Sequence, residues 1–239
     1  MAISFFNVLQ SVCTIAHENI PSDFGDITQP YPEIKFYIQN VLEEICDKFA
    51  WTFRERLFTL NTLAGQRAYS LLSGLSIPNI IEDGVRAVGW FPPLYFIPST
   101  DLDQLVQSSG KPYRYSVFNG QIILDPTPDE VYQVNIKYLT TNFAFLSDGA
   151  TEQSNLVNST DTTIIPDRYI KTLIWGAYAY YRQNFKPDPK YTLACQKYQE
   201  YLLEMQQEDN HGGDSGPIIT IGRAFNNKAR LIRDFYNQR

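Results

Sequence analysis

Apolar residues recur at helical spacing in four stretches, two on either side of a long region of shorter extended runs. Ile3 to Glu18 sets Phe5, Phe6, Leu9, Val12, Cys13 and Ala16 on one face, which predicts a short amphipathic helix ended by the loop Asn19 to Pro32. Pro32 and Glu33 open a second helix whose Ile34, Ile38, Val41, Leu42, Ile45 and Phe49 form the clearest stripe in the chain, closed near Trp51 to Phe53. A third runs from Pro166 to Asn184 with Tyr169, Ile170, Leu173, Ile174, Ala177, Tyr178 and Tyr181 on one side. Asp161, Thr162 and Thr163 lie ahead of it as candidate caps, and Asp167 falls in its first turn, where a carboxylate suits the helix dipole. The fourth, Pro189 to Glu208, carries Tyr191, Ala194, Tyr198, Tyr201, Leu202 and Met205. The breaker Lys186-Pro187-Asp188-Pro189 between the last two is short, which predicts antiparallel neighbours.

Between Phe53 and Leu139 the pattern changes to extended runs at Arg56 to Leu60, Gln66 to Leu72, Ile80 to Trp90, Leu94 to Ile97 and Pro112 to Phe118. Turn chemistry at Ala64-Gly65, Ser73-Gly74, Glu82-Asp83-Gly84, Pro92-Pro93, Ser109-Gly110 and Asn119-Gly120 separates them. Gln121 to Leu124 and Val131 to Leu139 read as a hairpin folded at Asp125-Pro126-Thr127-Pro128-Asp129, and Ser99 to Leu105 as a short helix. Asn142 to Thr162, dominated by Ser, Asn, Thr and Gly, reads as a long exposed loop. After Asn210 a Gly-rich linker leads to Ile218 to Ile221, a strand-forming run, and to Arg223 to Tyr236, a basic amphipathic helix with Phe225, Leu231, Ile232 and Phe235 on its apolar side.

The expected class is α+β: an antiparallel helical bundle with an inserted β-rich module and an extended C-terminal arm. The segments are 1–52 (N-terminal helices of the bundle), 53–141 (the β-rich module), 142–162 (the polar loop), 163–209 (the C-terminal helical hairpin) and 210–239 (linker and arm). A chain of 239 residues with 44% hydrophobic content can furnish a substantial core. Charge is uneven. The net charge is -6, yet from Pro217 onward five basic residues (Arg223, Lys228, Arg230, Arg233, Arg239) stand against Asp234, so the rest of the chain is strongly acidic. A basic arm with a greasy face on a tether wants an acidic partner surface outside its own domain. Phe225, Arg230, Leu231, Arg233 and Phe235 are the expected docking residues, because aromatic and Arg side chains dominate interface energetics.

Chemistry for catalysis is sparse. Cys13, Cys46 and Cys195 fall on three separate expected helices with no CxxC pair, which argues against a disulfide framework or a zinc site and for a reducing place of folding. The two histidines, His17 and His211, sit on a helix and in the linker, and neither neighbourhood offers a triad. No dinucleotide, P-loop, HExxH or EF-hand pattern occurs, so no cofactor and no metal are expected. The acidic pairs Glu43-Glu44, Glu82-Asp83 and Asp101 with Asp103 keep a two-carboxylate glycosidase as an alternative, although adjacent helical residues point apart and acids at turns serve turn geometry. Sixteen Tyr and fifteen Phe leave a carbohydrate-binding module open too, but those at helical spacing read as packing. Neither an export signal nor an apolar run of spanning length is seen, so no membrane is expected.

Trp51-Thr52-Phe53 followed by Phe58-Thr59-Leu60, then Ala64 to Leu71, Gly110-Lys111-Pro112, Leu124-Asp125-Pro126-Thr127-Pro128, Tyr138 and Ile165-Pro166-Asp167-Arg168-Tyr169 make an ordered series over roughly Glu33 to Glu208. The series resembles the head-to-tail adaptor, or connector ring, proteins of tailed bacteriophages, especially the short-tailed podovirus type. What the resemblance implies is a structural virion protein and not an enzyme. It would sit in the neck at the head-tail interface after assembly in the host cytoplasm, as a twelvefold homo-oligomeric ring below the portal protein and above tail or nozzle proteins. Double-stranded DNA would pass through its channel without specific binding during packaging and ejection, and the acidic body suits a channel that must not grip phosphates. On that resemblance the C-terminal arm is the portal-binding segment.

Overall fold

The computed structural model describes residues 3–71, 79–89, 92–185 and 189–210. Its architecture is mixed α and β, with helices α1 Phe5–Ala16, α2 Tyr31–Lys48, α3 Ser99–Leu102, α4 Ile170–Asn184 and α5 Lys190–Asn210 among the described residues. Ser73-Gly74, Trp90, the breaker at 186–188, the linker from 211, the run 218–221 and the basic helix 223–236 lie outside them. The chain divides into two compact units. One takes the described residues up to Arg54 together with those from Asn142 on; the other is Glu55–Thr141.

The first unit is built on the four striped segments. Ser4 caps α1 by accepting from the Asn7 amide at 3.3 Å, and His17, at φ 56°, closes it while its backbone N–H donates to Thr14 O at 3.2 Å. Pro32 falls in the first turn of α2, where its missing N–H costs nothing. The apolar positions read from the sequence are the buried ones: Val8, Leu9 and Val12 on α1, Ile34, Ile38, Val41 and Leu42 on α2, and Leu173, Ala177 and Tyr181 on α4 form one core. Helix α4 touches α1, α2 and α5 and buries ten of its fifteen residues. It can do so because Gly176 lets its neighbours in: a Cβ there would lie 2.5 Å from Val41 Cγ1 and 2.9 Å from Tyr198 Cε2.

Two sequence expectations change here. The segment 142–162 is not a free loop but holds three short strands, β8 Ala144–Phe145, β9 Glu152–Gln153 and β10 Thr162–Thr163, ordered β10-β8-β9 and antiparallel. Phe143, Ala144 and Leu156 are buried in the helical core, and Gln39 on α2 exchanges amide hydrogen bonds with the backbone of Leu156. Its buried apolar residues are too widely spaced to give a periodic signal. Nor do Asp161, Thr162 and Thr163 cap α4. A 3-10 turn at Asp167–Tyr169 follows Pro166 and leads into the helix, while the Asp161 carboxylate binds backward to the amides of Val157 (2.8 Å) and Asn158 (2.7 Å).

The second unit pairs β1 Glu55–Asn61, β7 Gln133–Leu139 and β3 Ile80–Ala87 in the order β1-β7-β3. A second sheet, β2-β6-β5-β4, joins β2 Ala68–Ser70, β6 Gln121–Asp125, β5 Arg114–Phe118 and β4 Tyr95–Phe96. Leu60, Val85 and Ile136 from the first share a core with Tyr69, Tyr115, Ile122 and Leu124 from the second. The expected hairpin of β6 with β7 is therefore wrong, since β6 belongs to one sheet and β7 to the other. The hairpin partner of β6 is β5, across Asn119-Gly120 with φ of 49° and 72°. Positive φ at both turn residues gives the twist that an antiparallel pair needs, which the Pro-containing link at 126–128 does not.

Candidate partner-binding surface

All five expected docking residues, Phe225, Arg230, Leu231, Arg233 and Phe235, lie outside the described residues. The structure instead shows the root from which their arm departs. Helix α2 must end against the core, and its last carbonyls need donors. The Trp51 indole Nε1 donates to Ile45 O at 2.6 Å, and the Arg54 guanidinium donates to Cys46 O. Arg54 is 3% exposed, lies over the Phe143 ring at 5.2 Å and has Asp47 at 3.8 Å. Burial pulls this guanidinium below its usual value, and the Asp47 charge opposes that. Between the two, Thr52 donates its amide (2.9 Å) and hydroxyl (2.5 Å) to the carboxylate of Asp209 in the last turn of α5. An acid at a helix C-terminus opposes the dipole, and the two donors of Thr52 offset that. The Trp51-Thr52-Phe53-Arg54 run is thus a clasp that ends one helix and holds the end of another, just where residues 211–239 begin.

A second buried arginine does the same for α1. Arg182, 4% exposed on α4, donates to Ala16 O at 2.8 Å and to the Tyr178 hydroxyl at 3.1 Å, while Tyr181 donates to Glu18 at 2.9 Å. Arg54, Arg182 and Asp209 were not singled out from the sequence, and Asp161 was read only as a helix cap. A lone cation inside an aromatic stripe, as Arg182 between Tyr178 and Tyr181, was the available signal.

Among the described residues the candidate catalytic groups do not assemble. Glu44 accepts from the Tyr180 hydroxyl at 2.6 Å, which pushes that phenol up to about 12, whereas its neighbour Glu43 is exposed. Asp101 and Asp103 are exposed on and just after α3, and Asp83 is exposed at φ 57° in β3. His17 serves as the backbone cap of α1, and His211 lies outside the described residues. Burial pushes the Cys13 thiol up to about 11 and that of Cys46 up to about 12, so neither carries thiolate at neutral pH. Among the described residues no group of three His, Cys, Asp or Glu side chains is placed to hold a metal ion, and no helix is long and apolar enough to cross a membrane.

Asp161 is 1% exposed. Burial alone would raise it, but the amides of Asn158 and Val157 and the Gln153 side chain together hold it below the usual carboxylate range. A depressed folded pKa means that this stability is full above the ordinary Asp value near 4 and fades as pH falls toward the lower folded value. The difference in urea midpoint between the native chain and Asp161→Asn is therefore expected to be largest at pH 6 and to shrink progressively below pH 4. An equal difference at pH 6 and pH 3 would contradict the charge-based account.

Apolar surface is left open in both units. Ile27, Phe36, Leu193 and Leu203 are more than half exposed in the first, and Leu57, Leu63, Phe118 and Val131 in the second. An open depression of about 360 Å³ in the second is lined by Pro92, Pro93, Leu94, Tyr95, Pro112 and Tyr113 together with Lys111, a mostly apolar and aromatic lining suited to contact. On α5 the exposed Glu200, Glu204 and Glu208 recur every fourth residue. Charge is concentrated accordingly: residues 1–54 and 142–210 hold sixteen acidic and nine basic side chains. What this arrangement offers is surface for packing against other macromolecules. Residues 6–220 match the model of a protein family described as SU10 adaptor protein. No curated protein matches the chain.

Proposed function

The chain belongs to the SU10 adaptor protein family, and from that premise we propose that it is a structural adaptor of a phage particle, forming a ring between the portal and the tail and lining the DNA channel. The observation that carries this reading is the extent of the match, which takes in both compact units and reaches residue 220. In this reading the helices of 1–52 and 163–209 form a bundle that packs against neighbouring copies, and the β-rich module of 53–141 turns toward tail or nozzle proteins. Exposed Phe36, Leu193 and Leu203 supply lateral apolar contact, and the acidic excess of the helical unit keeps the channel from holding DNA phosphates. The arm docks on the portal through Phe225, Arg230, Leu231, Arg233 and Phe235, which lie beyond the matched span.

Negative-stain microscopy of the chain alone and mixed with the portal protein of the same genome tests the reading. Rings seated on the portal are expected for the full chain, and a chain truncated after Asn210 is expected to give none while remaining folded by far-UV circular dichroism. Persistent separate monomers in the full-length mixture would overturn the proposal and turn attention to glycan binding at the Tyr95 and Tyr113 depression.

A further inference from the structure

Strand β1 is the longest open sheet edge among the described residues. It runs seven residues and pairs only with β7. The opposite edge of that sheet is partly covered, since Leu94 donates its amide to Val85 O at 2.8 Å, and the edges of the other sheet, β2 and β4, are three and two residues long. The phase of hydrogen bonding on β1 follows from its end. Thr62 donates to Tyr132 O at 2.8 Å, one step beyond the Asn61↔Gln133 pair, so Leu60 and Phe58 bond inward to β7. Gln133 O accepts from Val88 on the β3 side instead, as that alternation requires. Leu57, Thr59 and Asn61 then turn their N–H and C=O groups outward, and among the described residues no main-chain group meets them.

Open edges of this length normally carry a proline, a lysine or a bulge that discourages pairing. Glu55–Asn61 has no proline, lysine or bulge, its two charged residues, Glu55 and Arg56, stand at its first two positions and leave Leu57 to Asn61 without any, and Leu57 and Leu63 beside it are 59% and 57% exposed. We propose that residues 218–221 of this same chain add to β1 as a fourth strand. Ile218-Ile219-Thr220-Ile221 is a run of four β-branched residues, and Pro217, which has no N–H to place in a ladder, stands just ahead of it, where a strand admits proline. The arm also starts in the right place. Asp209 is bonded to Thr52, three residues before β1 begins, and the nine residues from there to Ile218 span up to roughly 30 Å extended, against about 24 Å for the whole of β1. Added there, the isoleucines stand beside exposed Leu57 on one face and half-buried Phe58 on the other. The strand would fix the root of the arm ahead of the basic run at 223–236. It requires no partner and does not depend on the adaptor reading.

Residue-resolved hydrogen exchange on the full chain, alone and dilute, tests it. Ile219→Pro and Thr220→Pro are made separately, because alternation directs one of their two N–H groups at β1. In at least one of them the Leu57, Thr59 and Asn61 amides are expected to exchange at least ~10-fold faster than in the native chain, with Leu60 and Val134 unchanged. Gly213→Pro, in the linker, is expected to keep native protection. Equal rates at Leu57, Thr59 and Asn61 in the native chain and both strand variants would overturn the proposal. So would protection that grows with protein concentration, since the strand would then come from a second copy.

Discussion

Asp125→Ala is expected to destabilise the β unit by about 3 kcal/mol, the lower end of what removing one partner of a buried ion pair costs. Asp125 is 1% exposed at the end of β6, opposite Arg114 in the β5–β6 register. Its Oδ2 accepts from Arg114 Nε at 2.9 Å and NH2 at 2.5 Å, and Arg67 NH2 lies 3.8 Å from Oδ1. Both arginine side chains are about one-fifth exposed, so without the carboxylate two cations converge in a place where water reaches only part of each. Hydrogen exchange of β5 and β6 peptides reads the loss, and the double variant Asp125→Ala/Arg114→Ala should cost less than the sum of its parts. Additive costs would mean that the pair is incidental to the sheet.

Gly176→Ala is expected to lower the stability of the helical unit by about 2 kcal/mol, although alanine is the better helix former by ~1 kcal/mol. The added methyl would stand 2.5 Å from Val41 Cγ1 and 2.9 Å from the Tyr198 ring. Val41 is fully buried and branched at Cβ, so it has no second rotamer to retreat to, and Tyr198 is 9% exposed against α4. Urea unfolding followed by the fluorescence of Trp51 and Trp175, both in this unit, measures the change. A midpoint at or above the native one would show that α2 and α5 move apart without cost, and that the close approach is not what Gly176 is for.

Elements whose cause is local were legible. The stripes Ile34-Ile38-Val41-Leu42-Ile45 and Leu173-Ala177-Tyr181 are buried as their spacing required, and the three cysteines fall on α1, α2 and α5 as read. Asn119-Gly120 was legible as a turn but not as the turn of a hairpin. The Pro-rich link at Asp125 drew that assignment because it lies between two strand-like runs, whereas strand pairing is decided by which faces meet in the core. Site residues were the least legible. Asp125 and Asp161 read as turn or cap chemistry, and both proved to be buried anions held by partners: Arg114, eleven residues away in sequence, and the Val157–Asn158 amides.

The sequence by itself determined where helices form, that both a helical and a β-rich region exist, that the arm is basic, and that the chain is similar to phage adaptors. The first three follow from residue type and short-range spacing; the last is a resemblance carried by an ordered series of motifs from Trp51 to Tyr169. Only the tertiary structure decided that β6 and β7 part into different sheets, that 142–162 is pinned to α2 through Gln39 and Leu156, and that Arg54 and Arg182 end the first two helices from far along the chain or across a turn. The physical reason is that a buried charge or an unpaired carbonyl acquires its partner from whatever the packed core brings within 3 Å, and periodicity carries no record of that choice.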